Sequence, residues 1–136
     1  MKVSHKEYLE YEIPDDWIIE ENEDTVSIYC SEGEGALTIS FFSIVELQKT
    51  LGEHISIMAK KYIDYNQIKL SHALILDKTK KDKTVLYGVG SSDDGWFVKL
   101  WLVARYPNVV FATYYSEKKT LELKEVEKII SSFTFI

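Results

Sequence analysis

A single cysteine, Cys30, stands among the 136 residues, so neither an internal disulfide nor a cysteine-rich zinc pattern is available. No apolar run approaches the roughly 20 residues that a membrane-spanning helix needs. The opening MKVSHKEYLEYEIP lacks the apolar stretch of a signal peptide, so the expectation is a cytoplasmic protein without membrane association. Histidine is scarce: His5, His54 and His72 show no metal-ligand spacing, and His54 beside Glu53 lacks the second histidine of HExxH. GxGxxG, P-loop and GxSxG are absent, and Gly88-Val-Gly90 belongs to a strand. Asp93-Asp94 falls in a hairpin turn, where neighbouring side chains point apart. Cys30 is in phase with Val26 and Ile28, the pattern of an inert buried thiol rather than a nucleophile. The expectation is a protein that is not an enzyme and holds neither cofactor nor metal.

Positive charge is scarce in one part of the chain only. The net charge of −6 hides a split, with eleven acids and two bases in residues 1–34 against eleven and fourteen in residues 35–136. So acidic an N-terminal portion would repel phosphates, which argues against nucleic acid as a partner.

What is present reads as one domain of ordinary apolar content, 46%, with 28% charged residues. Lys83 to Ser116 organises it as three antiparallel strands near 83–91, 96–105 and 109–115. Asp94-Gly95 turns the first pair, as a type I′ turn would, and Tyr106-Pro107-Asn108 turns the second. The strand 96–105 is apolar on both faces: Trp96, Val98, Leu100, Leu102 and Ala104 on one, Phe97, Trp101 and Val103 on the other. Lys99 and Arg105 alone break the second face. A sheet wetted on one side should alternate cleanly, so this one is expected to be covered on both.

Two amphipathic helices are available as covers. One near 50–65 starts at the Thr50-Leu-Gly-Glu53 capping spacing and carries Leu51, Ile55, Met58 and Tyr62 at helical intervals. The other, near 118–132 and capped by Ser116, carries Leu123, Val126, Ile130 and Phe133. Further strands are expected near 25–30, 36–42 and 68–77, the last with His72 in phase with Leu70 and Leu74. Residues 7–13 read as an edge strand that Pro14 stops, and Thr134 to Ile136 as a trailing end. The fold class is α+β: a single antiparallel sheet of about six to seven strands flanked by two helices, an α/β/α sandwich.

This order, with Ile13-Pro14-Asp15-Asp16-Trp17, Tyr87-Gly88 and the closing Ile129-Ile130-Ser131-Ser132-Phe133, resembles the PsbP-like family and its bacterial type in particular. That family includes the extrinsic photosystem II P subunit and a Ran-binding nuclear import factor. The resemblance implies a PsbP-like sandwich and an accessory or binding role. It carries over neither the photosystem metal role nor the Ran-binding role, for which no matching residues stand here, and one fold hosts many functions.

The functional expectation is a non-enzymatic accessory protein acting through protein–protein contact, an immunity-type protein that neutralises a toxin being one form of it. Its candidate partner surface is two charged turns, Glu20, Glu21, Glu23 and Asp24 against Lys78, Lys80, Lys81 and Lys83, since rim charges steer association. The alternative is a small-ligand binder or weak enzyme with an aromatic pocket between sheet and helix, for which Trp17, Tyr87, Arg105 and Tyr115 are the candidate lining.

Overall fold

The computed structural model describes all residues, Met1–Ile136. In chain order the elements are β1 (Lys2–His5), β2 (Leu9–Glu12), β3 (Trp17–Glu21), β4 (Thr25–Cys30), β5 (Gly35–Ser43), α1 (Leu51–Tyr65), β6 (Lys69–Leu70), β7 (Ile75–Asp77), β8 (Thr84–Ser91), β9 (Phe97–Arg105), β10 (Asn108–Ser116), α2 (Leu123–Ser131) and β11 (Thr134–Phe135). They form an α+β protein built on a large antiparallel sheet of order β3-β4-β5-β10-β9-β8-β6, with β7 also pairing β8. A second sheet, β1-β2-β11, stands apart from it. The expected single sheet of six or seven strands is therefore corrected to an eight-stranded sheet plus a three-stranded one.

The small sheet exists because the N-terminal residues fold back on themselves. Lys6 and Glu7 have φ of 57° and 65°, the positive values that a type I′ turn asks of its central pair, although neither is Asn or Gly. Glu10 and Leu9 then pair with Thr134 and Phe135, so the trailing end is a strand. The hairpin expected to use a type I′ turn does otherwise. Around Asp94-Gly95 only Gly95 has positive φ, 85°. The Gly95 amide donates to the Ser92 carbonyl at 2.9 Å and Ser92 pairs with Trp96, the arrangement of a type I turn closed by a left-handed glycine. Trp96 lies in this turn rather than in β9, and is exposed.

The central strands behave as their two-faced apolar pattern requires. Trp101 and Val103 join one core with Leu37, Ile39, Val110 and α2, to which the small sheet adds Leu9 and Tyr11. Val98, Leu100, Leu102 and Ala104 join the other with Ile55, Ala59 and Ile63 of α1. The helices thus cover opposite faces, and each fully buried aliphatic side chain contributes about 1.5–3 kcal/mol.

α1 begins where the capping spacing puts it: Thr50 Oγ1 accepts the Glu53 amide at 3.2 Å and donates to the Glu53 carboxylate at 2.9 Å. α2 begins later than expected. Ser116 does not cap it; it ends β10 fully buried, donating its hydroxyl to the Lys118 carbonyl at 2.6 Å. The expected strand 68–77 is also broken. Leu70 pairs with Gly90 and Ile75 with Tyr87, so four edge residues face two of β8 and the excess loops out. Leu74 from that loop fills the space above Gly88, where a Cβ would lie 2.6 Å from Leu74 Cδ2. His72 is consequently exposed instead of lying in phase with Leu70 and Leu74, its Nδ1 2.9 Å from the Ala73 carbonyl. Cys30 is only partly buried against the α2-side core.

Candidate functional site

Strand direction places both charged turns at one end of the large sheet. Ser43, Asn108 and Arg105 align across β5, β10 and β9, with Thr84 beside Ala104 at the start of β8. The β3–β4 turn and the β7–β8 loop both open at this end. About five strand spacings, some 24 Å, separate them across the sheet. The acidic and basic turns therefore flank a single surface. Between them Arg105 is exposed, and Phe42, Val45 and Tyr106 present apolar side chains to solvent, Val45 almost completely. Ile44 fastens the strip holding Val45, its amide donating to the Pro107 carbonyl at 2.7 Å.

The four acids do not act as a block. Glu20 points to the α1 face, where it accepts the Tyr29 hydroxyl at 2.5 Å. Glu21 points to the other face, 3.3 Å from His5 Nδ1, and His5 Nε2 lies 2.7 Å from the Tyr11 hydroxyl. Burial holds the His5 pKa below its ordinary value, with Glu21 pulling the other way. Glu23 and Asp24 lie in the exposed turn, and the Asn22 amide donates to the Thr25 carbonyl at 2.8 Å.

The basic loop is held at both ends. The Asp77 carboxylate accepts the Thr79 hydroxyl at 2.6 Å and its amide at 2.8 Å, which lowers the Asp77 pKa and fixes the loop's first bend. Lys78, Lys80 and Lys81 are exposed. Lys83 turns inward and donates to the Phe133 carbonyl at 2.6 Å, tying the loop to the chain just after α2. Burial pushes the Lys83 pKa down, opposed by Asp82 and assisted by Lys80.

Lys80 and Lys83 open onto a groove of about 360 Å³ between the sheet and α2. It forms because α2, nine residues and about 13 Å long, leaves part of β8 and β9 unroofed. Tyr87 and Trp101 are cross-strand partners on its floor. Beside them Lys99 is 9% exposed, its ammonium 5.4 Å and 5.3 Å from the Tyr87 and Trp101 ring centres. Glu127 of α2 accepts from Lys99 Nζ at 2.5 Å.

The four residues proposed from sequence as a pocket do not come together. Tyr87 is in this groove. Trp17 is buried in the α2-side core on β3, at the far edge of the sheet. Tyr115 faces the α1 side, its hydroxyl 2.7 Å from that of Tyr62, and Arg105 lies at the charged end. Aromatic character marked Trp17, Tyr87 and Tyr115, but Trp17 and Tyr115 owe it to core packing, and Arg105 ends a strand. The Lys99–Glu127 pair escaped sequence reading because Lys99 looks like an interruption of an apolar face. Its signal was that a lone charge inside a central strand needs a partner. No group of three or more His, Cys, Asp or Glu side chains converges as a metal site would require. No helix is long and apolar enough to cross a membrane.

The layering and strand order define the PsbP-like fold. The solution structure of cyanobacterial PsbP (CyanoP) from Synechocystis sp. PCC 6803 matches with a TM-score of 0.74 at 13% identity, over 100% of this chain and 92% of that one. A crystal structure from Bacteroides thetaiotaomicron VPI-5482 matches with a TM-score of 0.64 at 18% identity, covering 94% of this chain and 45% of the other. At such identities the likeness shows the fold alone. No protein-family model and no curated protein matches the sequence.

Proposed function

We propose that this protein is a non-enzymatic, cytoplasmic accessory protein that docks on another protein through the charged end of its large sheet. The observation carrying this reading is the placement of two oppositely charged turns at one end, with Phe42, Val45 and Tyr106 exposed between them. An apolar centre within a charged rim is the usual anatomy of a specific interface. The matching partner presents basic groups toward Glu20–Asp24, acidic groups toward Lys78–Lys83 and apolar side chains between. A toxin neutralised by an immunity-type protein is one such partner. Charge reversal tests the reading: replacing Glu20, Glu21, Glu23 and Asp24 by lysine should leave stability nearly unchanged while slowing capture of the partner, most of all at low salt. Capture of the same proteins at the same rate by both forms would remove the acidic turn from the interface.

A second reading, small-ligand binding in an aromatic pocket between sheet and helix, is favoured by the groove beneath α2, where Tyr87 and Trp101 form the floor.

A further inference from the structure

The groove beside α2 has a chemistry more specific than its shape. Lys99 has three donors, and only Glu127 accepts from it. Its stem is buried and its ammonium lies near two aromatic rings, with two donors left over. Lys83 reaches the same groove with one donor given to the Phe133 carbonyl, and Lys80 stands at the rim with no hydrogen-bond partner. Both carboxylates of the groove are already engaged, Glu127 by Lys99 and Asp77 by Thr79. Three ammonium groups against two carboxylates leave a surplus of one positive charge. Around it are the half-buried Tyr87 ring and the Val85 side chain, with Trp101, Val103 and Ile130 buried beneath them.

We propose that this groove binds a small organic monocarboxylate with a planar apolar body. The carboxylate takes the free donors of Lys83 and Lys99, and the body lies against Tyr87 and Val85, above the buried Trp101. A volume of about 360 Å³ suits a one- or two-ring acid and falls at the small end of ligand pockets. A phosphate monoester dianion exceeds the single surplus charge and meets Asp77 and Glu127 at close range. This proposal rests on the small-ligand reading, and it shares only Lys80 and Lys83 with the docking surface at the sheet end.

The test is titration of the ¹⁵N-labelled full chain with phenylacetate, compared with neutral phenylacetamide and with inorganic phosphate. Phenylacetate should give saturable shifts centred on the Trp101 indole and the Lys99 amide. Phenylacetamide and phosphate should bind about tenfold or more weakly, the worth of one charge-assisted hydrogen bond. Lys83→Ala should weaken phenylacetate to a similar degree, and folding of that variant is checked in the same spectra. Equal binding of the neutral amide would overturn the proposal. So would the absence of saturable shifts with phenylacetate, benzoate and indole-3-carboxylate. Shifts centred instead on Phe42, Tyr62 and Thr113, which line a groove on the α1 face, would refute this site while keeping small-ligand binding alive.

Discussion

Replacing Glu127 by alanine strips the Lys99 ammonium of the one carboxylate it meets. Breaking a fully buried pair by removing one member costs about 3–5 kcal/mol, because a charge is left desolvated and uncompensated. Here the exposure is unequal: the Lys99 side chain is 11% exposed and that of Glu127 43%. Water can enter where the glutamate stood, and the Tyr87 and Trp101 rings still attract the cation. The expected loss is therefore about 1–2 kcal/mol, or a fall in Tm of about 3–8 °C for a chain of this length. The reciprocal change, Lys99→Met, keeps the buried stem and removes the charge. It leaves a glutamate already close to solvent, so its effect should stay within about 1 kcal/mol of either sign. Urea denaturation followed by tryptophan fluorescence and circular dichroism reads both, provided the m-value holds constant. If Lys99→Met proves the more damaging, unequal desolvation of the pair is not what governs its energetics.

Other consequences follow from the core, a cap and a titration. Leu100→Ala, at a site 1% exposed between β9 and α1, should cost about 2–5 kcal/mol, and an unshifted urea midpoint would contradict the assigned strand phase. Thr50→Ala removes the acceptor of the Glu53 amide and should cost about 1 kcal/mol, while Thr50→Ser should retain most of it. His5 has a folded pKa below its ordinary value of 6.5 through burial, so the unfolded chain takes up the proton first. The His5 contribution should be constant above neutrality and fall away as pH drops through about 6.5, a decline that His5→Gln should lack in urea midpoints taken across that range.

The sequence exposed those parts of the fold where local pattern and tertiary environment agree. Strand β9 is apolar on both faces and lies in the middle of the sheet, so its reading called for two covering layers on opposite sides. Thr50 and Glu53 stand at capping distance, and α1 starts there. Local pattern misled where a long-range constraint took over. Lys6-Glu7 adopts positive φ without Asn or Gly because β2 is held from its other side by β11, nearly the whole chain away. Residues 71–74 leave the edge because two residues of β8 cannot match four. Ser116 resembles a helix cap, but the ladder with Gly35 and Phe97 claims it. For the site, charge runs located both turns, whereas their shared end emerges only from strand directions across β5, β10 and β9. Aromatic residues were poor guides to a pocket because most of them serve the core.

Docking at the charged end is tested most directly by where the protein touches its partner. A photoreactive phenylalanine analogue at Tyr106 lies midway between the two turns. The same analogue at Leu121, also exposed, lies at the opposite end of the sheet, after β10. On irradiation in the source cell's lysate, position 106 should yield a discrete covalent adduct that disappears when the four acids are reversed, and position 121 should yield none. The same adduct from position 121, or none from position 106, would contradict docking at this end.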